Sequence, residues 1–219
     1  MIIAIDGPAG AGKSTVACSV AKELGFVYID TGAIYRAITL KALEQNISFQ
    51  DEPELIRMAK NTKLDLSNNE NGTIKVLLDG DDVTAAIRSP RITHYVSGVA
   101  KIKGVRDEML KLQRSLGRAK DSVLDGRDIG TVVFPDADNK FYLDADFNER
   151  VKRRFKELTD VEGQITLKHI ESDLSNRDSI DSTRACAPLK KADDAVYIDT
   201  TNLTISQVVE KILKEIQGK

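Results

Sequence analysis

Cysteine and histidine are scarce in this 219-residue chain, with two of each. Cys18 and Cys186 stand far apart, neither in a C-x-x-C pair nor beside other metal-ligating residues, so no structural zinc site is expected. His94 and His169 fall in no motif. Net charge is equally sparse: at −2 it gives no reason for general attraction to nucleic acid or to a membrane surface. No apolar run approaches the length of a membrane span. The first residues read as a strand without a basic lead-in or a cleavage site, so no secretory signal is expected and the chain should work in a reducing cytoplasm. Internal repeats and low-complexity segments are missing too. What remains is ordinary for a soluble globular protein: 41% hydrophobic and 30% charged residues, and a length that suits one domain with a proper core.

The most informative stretch lies near the start. Ile2 to Ile5 is a short apolar run that predicts a buried strand. Gly7-Pro8-Ala9-Gly10-Ala11-Gly12-Lys13-Ser14, continued by Thr15, matches G-x-x-x-x-G-K-[ST] at every fixed position. A helical pattern follows, with Val16, Ala17, Val20, Ala21 and Leu24 at three- and four-residue spacing and Gly25 to end it. Glycines there let successive N–H groups turn inward as an anion nest, and the helix start adds unpaired N–H groups and its positive end. The expected occupant is a nucleoside triphosphate, with Lys13 reaching the β- and γ-phosphates and the Ser14 hydroxyl ligating Mg²⁺.

Further along, Phe26 to Asp30 reads as a second strand running into a helix, with Thr31 as its cap and as a hydroxyl in the cleft. Pro53 to Lys60 predicts a short helix. Leu64 to Leu66 and Thr73 to Leu78 predict strands joined through turns at Asn71-Gly72 and Asp79-Gly80. Such local hairpins do not belong in a parallel sheet, so 52–98 is expected to be an inserted lobe. Ile92 to Leu116 predicts helices folded onto the core. Ser122-Val123-Leu124 leads into the charged cluster Asp125-Gly126-Arg127-Asp128, and Phe141 to Asp144 and Val196 to Asp199 supply two more strands. Ile205 to Ile216 closes the chain as an amphipathic helix. Together these elements predict an α/β fold: one domain over 1–219, with a P-loop parallel five-stranded sheet flanked by helices, a small antiparallel β/α lobe and a short helical lid at 150–187. Within that lid region Arg150, Lys152, Arg153, Arg154 and Lys156 crowd one helix, and after a polar loop (Asp160 to Gln164) Leu167, Ile170 and Leu174 line a second. If that helix persists, Arg177, Asp181 and Arg184 share a face, either as a surface ladder or as arginines that close over phosphates.

At this point the chain resembles the bacterial-type cytidylate kinases among the nucleoside monophosphate kinases. The resemblance is carried by G-P-A-G-A-G-K-S-T at 7–15, D-T-G-A-I-Y-R-A at 30–37, D-G-R-D-I-G-T-V-V-F-P at 125–135 and R-D-S-I-D-S-T-R-A-C-A-P-L at 177–189. It implies phosphoryl transfer from ATP to CMP or dCMP with Mg²⁺ as cofactor. By position it implies that Thr31, Arg36, Arg127 and Arg184 hold the acceptor phosphate, that Ser97, Arg106 and Asp128 read cytosine, and that Arg177 and Asp181 contact the ribose. Lys13, Arg127 and Arg184 are the expected catalytic residues. Thr31 stands where the family often has serine, and Lys103-Gly104 where it often has proline before V-R.

The chemistry agrees with these residue types. An acceptor phosphate is already largely ionised near neutral pH, with a second pKa of about 6, and needs no general base. Asp128 can accept from the cytosine amino group while Arg106 and Ser97 donate to N3 and O2. Two alternatives stay open. One is another P-loop kinase acting on UMP, AMP, shikimate or dephospho-coenzyme A. The other is a GTPase-type switch, although the sequence offers no N-K-x-D and its lone D-x-x-G, Asp160 to Gly163, does not follow a predicted strand. A monomer is the expected state.

Overall fold

The structure, a computed structural model, describes residues 1–68, 74–159 and 166–218. The turn expected at Asn71-Gly72, the first residue of the strand expected from Thr73, and the loop and D-x-x-G at 160–164 lie outside the described residues.

Apolar runs and helical patterns alternate along the chain as β1 (Ile2–Asp6), α1 (Lys13–Leu24), β2 (Val27–Asp30) and α2 (Thr31–Glu44). Then come α3 (Glu52–Lys60), the short strands β3 (Leu64–Asn68), β4 (Ile74–Leu78) and β5 (Asp81–Asp82), and the helices α4 (Pro90–Ala100) and α5 (Lys103–Ala119). The chain finishes with β6 (Ser122–Gly126), β7 (Asn139–Asp144), α6 (Phe147–Thr159), α7 (Leu167–Thr183), β8 (Val196–Asp199) and α8 (Ile205–Gln217).

Five strands form one parallel sheet in the order β2-β6-β1-β7-β8. The strands are nearly continuous apolar runs because helices cover both faces. Ile3, Ile5, Val123, Phe141 and Leu143 pack with Val16, Val20 and Ile212 from α1 and α8. Ala4, Ile29 and Leu124 face the other way, onto Ile129, Val133 and Phe134. Each of the larger side chains here (Val, Ile, Leu, Phe), fully buried, contributes about 1.5–3 kcal/mol, so this sandwich dominates the stability. Because β1 sits between β6 and β7, its carboxyl end opens into the crevice where open α/β sheets take their ligands.

β3, β4 and β5 make a separate antiparallel sheet. Along β4, Ile74, Val76 and Leu78 are buried and alternate with half-buried residues, and their apolar face is continuous with the main core. The α6–α7 pair is held differently. Its buried apolar side chains, Val151, Ile170 and Leu174, form a small cluster of their own with Ala9.

Two sequence-based expectations need correction. Asp30, not Thr31, caps α2: its carboxylate accepts from the Ala33 N–H at 2.9 Å, and Thr31 is the first helical residue. Leu167 does not join Ile170 and Leu174 in their cluster; it starts α7 and is 47% exposed, because the apolar stripe begins one turn later.

Candidate active site

The loop between β1 and α1 is tied to the sheet by a close approach. Gly7 has φ 149°, and a Cβ there would lie 1.9 Å from the Leu143 carbonyl oxygen, so the loop can leave β1 in this direction only without a side chain. Lys13, the first residue of α1, turns back and donates from Nζ to the Pro8 carbonyl at 2.6 Å. Its ammonium is nearly buried, and burial together with Arg127 lowers its pKa.

Beside the loop, β6 delivers Asp125. Its Oδ2 accepts from Ser14 Oγ at 2.8 Å and its Oδ1 from the Tyr28 hydroxyl at 2.8 Å, while the Thr31 hydroxyl donates to the Asp125 carbonyl at 2.7 Å. Burial, reinforced by Asp30, pushes the Asp125 carboxyl up. Beyond Gly126 the chain makes a single π-type turn at Ile129–Val133, anchored by Asp6. The Asp6 carboxylate accepts from the Ile129 N–H at 2.8 Å and the Gly130 N–H at 2.7 Å. That anchor sets the direction of Arg127 and Asp128.

Arg127 Nε donates to Asp181 Oδ2 at 2.9 Å. Arg106, from α5, donates to Asp128 Oδ2 and to the Ala100 carbonyl, and its guanidinium lies 5.2 Å from the Tyr35 ring centre. Arg184 follows the end of α7, held by its Nε on the Ala187 carbonyl, and stands 3.5 Å from Asp128 and 3.7 Å from Asp181. Burial opposes ionisation of Asp181, but Arg127, Arg184 and Arg177 outweigh it and hold the pKa below the usual value.

Arg36 and Arg177 are left over. Arg36 Nη1 donates to the Thr93 hydroxyl at 2.7 Å, and neither arginine makes an ion pair among the described residues. Arg177 Nε is buried with no hydrogen-bond partner among the described residues. Burial and the neighbouring Arg36 and Arg127 lower the Arg177 pKa to about 9, and burial lowers that of Arg36 to about 10. Two mutually repelling, desolvated guanidiniums make a strong demand for an anion.

Most of the charged side chains just described face one cavity of about 680 Å³. Among the described residues, eight cationic side chains line it (Lys13, Arg36, Arg88, Arg106, Arg127, Arg154, Arg177 and Arg184) against five carboxylates (Asp30, Asp125, Asp128, Glu157 and Asp181). Every residue expected at the acceptor site is in its wall: Thr31, Arg36, Ser97, Arg106, Arg127, Asp128, Arg177, Asp181 and Arg184. Of the loop residues, Ala9, Gly10, Gly12, Lys13, Ser14 and Thr15 reach it; Gly7, Pro8 and Ala11 stand behind. Sequence reasoning overlooked Asp125, Tyr28 and Asp6. Asp125 does belong to the charged cluster that follows a predicted strand, a usable signal, whereas Asp6 and Tyr28 look like strand residues.

Among the described residues no cluster of three or more His, Cys, Asp or Glu could hold a metal ion, and no helix is long and apolar enough to cross a membrane. A Mg²⁺ ion that rides on substrate phosphates needs less: it keeps several waters and takes one or two protein oxygens. The Ser14 hydroxyl beside the Asp125 carboxylate, with Asp30 nearby, is a hard-oxygen set that fits it.

Comparison with known proteins agrees with the geometry. The family model described as cytidylate kinase matches residues 3–218. A cytidylate kinase of Fusobacterium nucleatum is 50% identical over 217 residues, covering 99% of this chain and 97% of that protein. One from Caldanaerobacter subterraneus is 48% identical over 215 residues, covering 98% and 94%. Among solved structures, a shikimate kinase from Acinetobacter baumannii shares the fold, with a TM-score of 0.50 at 17% identity, over 99% of this chain and 93% of that one.

Proposed function

The chain belongs to the cytidylate kinase family, and from that footing we propose that it transfers the terminal phosphoryl group of ATP to CMP and dCMP, releasing ADP with CDP or dCDP. The observation that carries the reading is the convergence of Lys13, Arg36, Arg127, Arg177 and Arg184 on one cavity, from four separate stretches of chain.

In this reading the phosphate loop and the start of α1 hold the triphosphate, and Arg36, Thr31, Arg127 and Arg184 hold the acceptor phosphate. One acceptor oxygen attacks the γ-phosphorus in line, a new P–O bond forms, and the bond to the β,γ-bridging oxygen breaks. No side chain has to remove a proton, since the acceptor phosphate is mostly ionised. The protein instead positions two polyanions and offers fixed positive charge where charge spreads in the transition state. Ser14 and Asp125 would hold Mg²⁺, directly or through water, and the ion would neutralise phosphate oxygens of the donor. On the base side, Asp128, held between Arg106 and Arg184, accepts from the cytosine amino group, with Arg106 and Ser97 as donors. Uracil sets a carbonyl against that carboxylate, a mismatch that polar sites reject strongly.

The small sheet and α4, over 52–98, act as an acceptor-binding lobe, and 150–187 as a lid; the separate packing of α6–α7 through their own cluster supports this division. In the same reading the protein acts as a monomer in the cytoplasm. An ADP-release assay across CMP, dCMP, UMP and AMP tests the proposal. Fastest turnover of CMP or dCMP is expected; a faster rate on AMP or UMP would replace it.

A further inference from the structure

The α6–α7 pair grips the phosphate loop at Ala9 from three sides. Its methyl group packs with Val151, Ile170 and Leu174. Its carbonyl accepts from Arg150 Nη1 at 3.0 Å, and its N–H donates to Asp178 Oδ1 at 3.4 Å. Arg150 Nη1 also donates to Asp178 Oδ2 at 2.5 Å, and Arg150 Nε donates to the Ala145 carbonyl at 3.1 Å. The three residues thus close a ring that links the loop, α6 and α7. Contact is tight: a Cβ at Gly10 would come within 3.0 Å of Arg150 Cβ.

Neither Arg150 nor Asp178 lines the cavity; both act on it through the Ala9 peptide. A gain in stability does not account for them, since an ion pair whose Asp178 side chain is 22% exposed is often worth little. What the ring adds is registration. Asp178 follows Arg177 directly and precedes Asp181 by three residues on the same helix. Fixing Asp178 to the peptide of Ala9 therefore fixes where Arg177 and Asp181 stand relative to Lys13 and the loop.

We propose that Arg150 and Asp178 are positioning residues that couple the two nucleotide sites: the Ala9 peptide and the acceptor-facing residues of α7 shift together. A donor that orders the loop thereby sets Arg177 and Asp181 for the acceptor, and by reciprocity the acceptor favours donor binding by the same factor. This rests on reading the cavity as an ATP and CMP site.

The test measures CMP binding by calorimetry with and without a non-hydrolysable ATP analogue, in the parent and in three variants. Asp178→Asn keeps the shape but turns an amide toward the guanidinium. Arg150→Lys keeps the charge but loses the fork that reaches several acceptors. Val151→Ala loosens the same cluster and leaves the ring alone. The analogue is expected to tighten CMP about tenfold in the parent, within the usual range of coupling. That ratio should fall to about one in Asp178→Asn and Arg150→Lys, with each nucleotide alone bound within about threefold of the parent. Val151→Ala should lower Tm and keep the ratio. A parent without synergy, polar variants that retain it, or its equal loss in Val151→Ala would overturn the coupling. CMP turnover by the parent is measured alongside: its absence sinks the functional reading, whereas turnover without synergy sinks only the coupling.

Discussion

Arg106 Nη2 lies 2.5 Å from Asp128 Oδ2, and each side chain is only 7% exposed. Arg184 approaches the other carboxylate oxygen at 3.5 Å, so Asp128 is held from both sides in a place water hardly reaches. Removing one member of such a pair leaves buried charge without compensation, a loss of about 3–5 kcal/mol. Asp128 also lines the cavity, where its carboxylate is held as a hydrogen-bond acceptor.

Asp128→Ala is therefore expected to reduce kcat/KM for CMP about 100-fold, with ATP affinity changed less than about threefold. Steady-state kinetics and an ATP titration, with a thermal melt to check folding, decide this. Near-normal CMP kinetics would remove Asp128 from the acceptor site.

Asp125 takes hydrogen bonds from Ser14 and Tyr28, one on each oxygen. Asp125→Asn should raise the Mg²⁺ concentration for half-maximal rate about tenfold or more, the usual cost of disturbing the groups that orient a metal site. In the parent, a chelator should abolish turnover and added Mg²⁺ restore it. An unaltered Mg²⁺ requirement in the variant would dissociate Asp125 from the metal.

Arg177 is a half-buried cation among cations, with a buried Nε that has no partner among the described residues. Arg177→Met should relieve repulsion and raise the Tm of the nucleotide-free protein by a few degrees, equivalent to about 1 kcal/mol, while lowering kcat sharply. Differential scanning calorimetry beside kinetics tests both halves. A lower Tm in the variant would mean that Arg177 is satisfied in the free protein.

Burial pushes the pKa of Asp6 up to about 7, against the two N–H groups it accepts from, compared with an ordinary 3.8. The native state thus keeps a proton that the unfolded chain has released. This contribution to stability is full below about pH 4 and is lost as pH rises through about 7, at about 1.4 kcal/mol for each unit of displacement. In Asp6→Asn it is missing, so the parent's advantage in Tm should be larger at pH 5 than at pH 8.5. Equal differences at the two pH values would refute a shifted Asp6.

Much of this molecule was legible in its sequence because the relevant signals are local. Alternating apolar runs and three-to-four spacing marked the five parallel strands and their helices. The glycine loop announced a polyphosphate site through the conformations that its residues permit. The resemblance to cytidylate kinases also named the residues that the cavity gathers. Even locally, however, Asp30 and Thr31 are both good helix caps, and composition could not choose between them. The choice follows from Asp125, whose carbonyl occupies the Thr31 hydroxyl.

Pairing between distant side chains was decided only by the tertiary structure. Ser14 meets Asp125 across 111 residues, Arg127 meets Asp181 across 54, and Asp6 holds the peptide of Gly130 across 124. These contacts depend on β1 lying between β6 and β7, with Asp6 opposite Gly126 in the ladder. Periodicity along a chain tells which face of an element is apolar. Which polar ends then meet, and which arginines are left without a carboxylate, follows from strand order and register, and those arise from packing the whole sheet at once.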